Sequence, residues 1–241
     1  MPDLITALNA DHFDPNKVHV FIDGKHALAV ALDVAAAEKL AVGQPCPPDR
    51  LERLHKAEEI NAIYASALNF LSFRPRSVRE VELRLRKKGN QPEQIEMVMA
   101  RLRKVGLVDD REFARFWVGN RMSFSPRGPR LLRSELRQKG VPQEIVDEIL
   151  AEQTETQVEL QQRAEEVAEE YELEGDEPTP GTDLANALSL ARKRLRSYSN
   201  LDPQTSRRRL SGFLARRGYG YDVIDGVMRR VYDVEDEEVE E

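Results

Sequence analysis

A chain of 241 residues, 40% of them hydrophobic, can bury a real core, which excludes a tail or a linker. Charged residues make up 33% and aromatics only 6%, which favours helices with wide solvated faces over a dense β sandwich. The formal net charge of −7 argues against a nucleic-acid partner only if the charge is evenly spread, and it is not.

From the N-terminus, the residues up to Ala10 lack a basic start followed by an apolar core, and nowhere does a run approach the roughly 18 apolar residues of a membrane span. A soluble cytoplasmic protein is expected. Apolar residues then alternate at Val18, Val20 and Ile22, a turn is offered by Asp23-Gly24-Lys25-His26, and alternation resumes through Leu28, Val30 and Leu32. This predicts a β-hairpin, with Leu4 to Leu8 available as a third strand. Asp33 is a candidate N-cap for a short Ala-rich helix ending near Gly43, and Gln44-Pro45-Cys46-Pro47-Pro48 breaks it. Residues 1–48 therefore read as a small β-rich cap. The single cysteine, Cys46, has no partner for a bridge and reads as a small apolar filler in a reducing compartment.

After Asp49 the period becomes helical and the chain repeats. Three glycines anchor the repeat, each ending a basic amphipathic stretch: Leu85-Arg86-Lys87-Lys88-Gly89, Leu136-Arg137-Gln138-Lys139-Gly140 and Leu214-Ala215-Arg216-Arg217-Gly218. Four and eight residues before them stand Leu85 and Val81, Leu136 and Leu132, Leu214 and Leu210, on one helical face. Six, nine and ten residues after them come Ile95, Val98 and Met99; Val146, Ile149 and Leu150; Ile224, Val227 and Met228. A glycine between two amphipathic runs is the left-handed residue that ends one helix and turns the chain back. One unit thus occurs three times.

Each unit has a helix upstream: Ala57 to Leu71, with Ile60, Tyr64, Leu68 and Leu71 inward; about Asp110 to Met122, with Phe113, Phe116 and Trp117 on the apolar face; and Leu184 to Tyr198, with Leu188, Ala191 and Leu195. The fold expected is mainly α, tandem three-helix repeats in an elongated array: repeat 1 at 49–106, repeat 2 at 107–153 and repeat 3 at 184–233. The extra residues between the second and third units, 154–183, match a Glu-rich stretch running from Glu152, read as a solvated helix to about Leu173 and then a loop. Residues 234–241 form an acidic tail, for which a solubilising role is the plainer reading and folding back on the arginines the sharper one.

The charge is segregated along this frame. Arg74 to Lys139 carries 18 Lys and Arg against 8 Asp and Glu, and Leu184 to Tyr232 carries 11 against 3. Glu152 to Glu177 has 11 acids and only Arg163, and Asp233 to Glu241 has 7 acids and no base. The candidate binding residues are Arg127, Arg130, Arg133 and Arg137, whose spacing puts them on one helix face, with Arg76, Arg79 and Arg86 as counterparts in the first unit and Arg207, Arg208 and Arg209 in the third. Arg79, Arg130 and Arg208 share one offset, ten residues before the glycine. Any single one reads as a solvated helix face. A cation repeated at one offset in three units points to a shared partner.

Catalytic chemistry finds no footing. Asp109 and Asp110 read as an N-cap and a dipole-favoured acid, without a further ligand at metal spacing. Phe113, Phe116 and Trp117 read as core before base-stacking residues. His12, His19, His26 and His55 are scattered, and neither a P-loop nor a Gly-x-Gly-x-x-Gly occurs. Neither an enzyme, a metal nor a cofactor is expected.

Gly106-Leu107-Val108-Asp109-Asp110, followed by Phe113-Ala114, Trp117, Arg121, Gly128, Leu132, Leu136 and Lys139-Gly140-Val141, resembles the core of the RecX family. The third unit's Arg208, Leu210, Phe213-Leu214 and Arg217-Gly218-Tyr219 and the first unit's Arg76-Ser77, Val81-Glu82 and Leu85-x-x-Lys88-Gly89 are similar to its outer repeats. The resemblance spans about Glu58 to Asp233. It implies a monomeric regulator that binds the RecA recombinase filament on single-stranded DNA, lying in its groove, and inhibits growth or activity in recombination, repair and the SOS response. DNA would be met mainly through the filament. Basic faces on a repeat array suit such a partner. Two other readings stay open: direct nucleic-acid binding by a helical repeat protein without a RecA role, and a pure assembly scaffold.

Overall fold

A computed structural model describes residues 3–170 and 178–232, without the side chains of 167–170; the expected end of the acidic helix at Leu173 and the acidic tail fall outside these. Among the described residues the chain is mostly helical, with one three-stranded antiparallel sheet near the N-terminus. Two compact units are present: Met1–Arg76 with Glu80–Val108, and Ser77–Arg79 with Asp109 onward.

In the first unit, β1 (Ile5–Ala10), β2 (Lys17–Ile22) and β3 (Lys25–Ala31) pair in sequence order. The β2–β3 turn is the two residues Asp23 and Gly24, both at positive φ, as a tight hairpin compatible with strand twist requires. Val20, Leu28 and Val30 pack with Ile5, Cys46 and Leu54. Leu32 departs from the expected alternation: it is exposed and opens helix α1 (Leu32–Ala37). Asp33 lies inside the first turn, Ala31 occupies the N-cap position, and the helix stops well before Gly43. The capping expectation for Asp33 is therefore corrected; Val34 goes into the sheet core and so sets the helix phase.

Helix α2 (Pro48–Leu71) is longer than the sequence suggested and starts at Pro48, where a missing N–H costs nothing. Its buried residues are Leu54, Ile63 and Ala67, whereas Leu68 is exposed, so the inward face is rotated from that expected. Helices α3 (Val78–Lys87) and α4 (Pro92–Lys104) follow. In the second unit, α5 (Asp110–Phe124), α6 (Pro129–Gln138) and α7 (Gln143–Glu170) form one trio, and α8 (Asp183–Leu195), α9 (Pro203–Arg216) and α10 (Tyr221–Tyr232) another. The Glu-rich stretch is no separate helix: α7 runs through Glu152 without a break, because nothing between Gln143 and Glu170 interrupts a good helix-forming sequence.

All fifteen positions singled out around the glycines are buried, from Val81 and Leu85 to Val227 and Met228. Gly89, Gly140 and Gly218 have φ of 85°, 82° and 89°. At Gly140 the closure is doubled, Gly140 N donating to Arg137 O at 2.9 Å and Val141 N to Leu136 O at 3.1 Å, which satisfies carbonyls the helix end would leave open. Phe116 corrects the reading of α5: it is exposed, and Phe113, Ala114 and Val118 form the buried face, with Trp117 half-buried beside it.

Candidate functional site

The arginines divide by what holds them. Arg79, Arg130 and Arg208, which share the offset of ten, are all exposed, and among the described residues none has an ion-pair partner. The stem of Arg79 lies against Gly140, where an added Cβ would come within 2.6 Å of the arginine Cβ. Arg86, Arg137 and Arg209 are exposed as well. Arg207 is exposed with its guanidinium 5.4 Å from the Tyr232 ring.

The expectation that Arg127, Arg130, Arg133 and Arg137 share a helix face is corrected in part. Gly128, extended at φ −71° and ψ 162°, and Pro129 start the helix, so Arg127 lies before it. Its Nε stands 3.8 Å from Glu135, itself the acceptor for Trp117 Nε1 and Arg121 Nε, both at 2.8 Å. Glu135 thus gathers an indole and two guanidiniums, and Arg127 faces its own molecule. Arg130, Arg133 and Arg137 do stay together, lining with Ser134 and Gln138 a shallow depression of about 400 Å³. Arg133 donates to Asp147 at 3.2 Å; Gln143 first and then Arg133 hold that carboxyl below its ordinary range. Arg76 is half-buried, stacked 4.1 Å over Phe70, and burial pulls its pKa down.

The loops ahead of these helices are pinned. Ser77, fully buried, donates Oγ–H to Lys139 O at 2.6 Å, and Val78 N donates to Asp110 Oδ1 at 2.9 Å. Gly128 N donates to Arg217 O at 2.9 Å, and a Cβ on Gly128 would collide with the Gly218 carbonyl. The residue twelve before one glycine thus meets the residues at the following glycine, twice. In the third trio the matching Ser206 instead bonds the Tyr232 hydroxyl at 2.7 Å, inside a helix that starts earlier, at Pro203.

Asp109 caps α5 as expected, accepting from Arg111 N and Glu112 N, whereas Asp110 also braces Val78. Two groupings escaped the sequence reading. Glu135 gave no signal, since its role depends on α5 and α6 packing together. His19 and His26 are not scattered: strand pairing brings His19 Nδ1 within 2.9 Å of His26 Nε2, and His19 Nε2 within 2.8 Å of Asp11. Backbone N–H groups of Asp14 and Phe13, with His19, push the Asp11 carboxyl down to about 2. Among the described residues there is no group of three His, Cys, Asp or Glu fit to hold a metal, and no helix is long and apolar enough to cross a membrane.

Models of the RecX first, second and third three-helix domains match residues 64–102, 109–150 and 182–228, together more than half of the chain and in the order of the three trios. The chain belongs to the RecX family. Among curated relatives, the regulatory protein RecX of Amycolatopsis mediterranei (strain U-32) is 36% identical over 76% of this chain and 88% of its own length. That of Bacillus subtilis (strain 168) is 28% identical over 98% of this chain and 80% of its own. A crystal structure of a regulatory protein RecX superposes with a TM-score of 0.72 at 22% identity, covering 93% of this chain and 98% of that one. The RecX of Lactobacillus salivarius gives 0.55 at 23%, over 73% of this chain. These two likenesses concern the RecX fold, and the family is one of regulatory proteins.

Proposed function

We propose that this chain is a non-catalytic regulator that binds the RecA nucleoprotein filament on single-stranded DNA and inhibits its growth or activity, acting in the cytoplasm as a monomer. The observation that carries the reading is the cation at one offset in all three trios: Arg79, Arg130 and Arg208 are exposed and without an ion pair among the described residues. A solvated helix face needs no such recurrence, whereas a repeating partner rewards it. Arg86, Arg137 and Arg209 add exposed positive charge, without an ion pair among the described residues; Arg133 and Arg207 contribute while tied to Asp147 and resting on Tyr232. Arg76 and Arg127 are less accessible to a partner, since their Nε atoms are buried, with Arg76 stacked on Phe70 and Arg127 near Glu135. Electrostatic attraction to a DNA-containing filament then needs no positive net charge, only a positive face.

The test is RecA's ATP hydrolysis on single-stranded DNA with this protein added well below one copy per recombinase. Inhibition is expected, and it weakens at least tenfold in the Arg79→Ala, Arg130→Ala, Arg208→Ala triple variant with its helical circular dichroism unchanged. Absence of inhibition by the parent protein overturns the reading.

A further inference from the structure

Helix α2 carries more apolar residues than its own core uses. The sequence offers Ile60, Tyr64 and Leu68 as a stripe, yet the core takes Ile63 and Ala67. The stripe is left about a quarter of a turn away, half-buried at Ile60 and Tyr64 and exposed at Leu68. Helix α4 packs on α2 and has a surplus of its own: it buries Ile95, Val98, Met99 and Leu102 but leaves Met97 59% exposed.

The two surpluses meet. An open cavity of about 690 Å³ lies between α1, α2 and α4, and its apolar lining is Val34 and Ala37 from the first, Ala57 and Ile60 from the second and Met97 from the third. All of these residues belong to the first compact unit, so the groove is built within that unit alone.

Its charge is opposite in sign to that of the arginine rows. Four carboxylates line it, Asp33, Glu38, Glu59 and Glu93, and none of them makes an ion pair among the described residues. Glu59 only accepts a hydrogen bond from Gln94 Nε2 at 3.2 Å. The two cations of the lining are engaged with neighbours: Lys56 Nζ lies 2.6 Å from Glu52, and the Arg101 guanidinium stacks 3.8 Å over the Tyr64 ring. Apolar side chains beside uncompensated carboxylates select a partner that offers apolar groups flanked by cations. Phosphates would be repelled, so a nucleic acid does not fit here.

The walls narrow the choice further. A groove between helices suits a helix, whose anchors recur at three- and four-residue spacing on one face. Met97 is unbranched and polarizable, and adapts to the anchor it meets.

We propose that the groove between α1, α2 and α4 is a docking site for a basic amphipathic helix of a partner protein, with Ala37, Ile60 and Met97 receiving its apolar anchors and Asp33, Glu59 and Glu93 its cations. The groove shares no residue with the arginine rows, and the inference does not depend on the recombinase reading.

The experiment follows the fluorescence anisotropy of a labelled synthetic helix of leucine and lysine in amphipathic order as the full-length protein is added, at about 0.15 M salt, where long-range attraction is screened. Neither RecA nor DNA is present. The amphipathic peptide binds. A scrambled peptide of the same composition binds at least tenfold more weakly, and a leucine and glutamate helix of the same pattern does not bind. Met97→Ser lowers the affinity about tenfold and Met97→Leu retains it; Glu59→Gln with Glu93→Gln lowers it about tenfold and flattens the salt dependence. These side chains are exposed, so the helical circular dichroism stays parental in each variant. The Arg79→Ala, Arg130→Ala, Arg208→Ala triple variant binds the peptide as the parent does. Equal binding of the scrambled or the glutamate peptide overturns the proposal, as does parental affinity in the Met97→Ser and double glutamine variants. Self-association in sedimentation that Met97→Ser abolishes would give the groove to a second copy and also overturns it. With no RecA in the measurement, failure of either reading leaves the other standing.

Discussion

Helices α6 and α9 bury the same two leucines, Leu132 and Leu136 in one and Leu210 and Leu214 in the other, but the segments leading into them have little in common. Before α6 come an exposed Phe124, Arg127, and a Gly128 pressed on Gly218. Before α9 the chain places Asp202, which caps the helix by accepting from Thr205 N, and the helix begins early enough to carry Ser206 inside it. The contrast separates two kinds of constraint. Positions that face the trio's own core are filled alike, because a lost methyl group is felt wherever packing is dense. Positions outside it differ according to whether another segment must dock there, so an outer residue that does recur marks a contact the core does not require.

The comparison breaks first if the shared core is not shared in energy. Leu136→Ala and Leu214→Ala should each cost about 2 to 5 kcal/mol, read by denaturant unfolding. A variant close to the parent in either trio would show that its core is filled differently. Gly128→Ala comes next, at about 1 to 3 kcal/mol, since the new methyl has only the Gly218 backbone to displace. At the matching place in the third trio, Ser206→Ala loses only its hydrogen bond to Tyr232, about 1 kcal/mol, so thermal melts should rank Gly128→Ala as the worse. The smallest effect sharpens the contrast at Asp202. The backbone N–H of Thr205 holds its carboxyl below the ordinary aspartate value of 3.8. A lowered folded value means a stabilisation fully present above the unfolded value and lost as the pH falls through the folded one. An NMR titration should therefore place Asp202 below 3.8, and Asp202→Asn should flatten that part of the acid dependence.

Much of the fold was legible in the sequence, because the trios are built from local rules. Apolar residues at helical spacing announce a buried face, and a glycine after a basic run announces a left-handed stop; Leu85, Leu136, Leu214 and the three glycines follow from these rules alone. The hairpin at Asp23-Gly24 and the Asp109 cap were readable for the same reason, their geometry being satisfied within a few residues. The phase of α2 was less so, since whether Leu68 or Ala67 turns inward depends on what packs against the helix.

The sequence by itself determined the buried positions around the three glycines, where those helices turn back, and that cations recur beside them, because periodicity and backbone conformation act over a turn or two of chain. Only the tertiary structure decided which of those cations are free. It gave Arg127 to the surroundings of Glu135 and Arg133 to Asp147, and left Arg79, Arg130 and Arg208 without an ion pair among the described residues. An arginine side chain is long enough to choose among partners far apart in sequence, and that choice is made by packing.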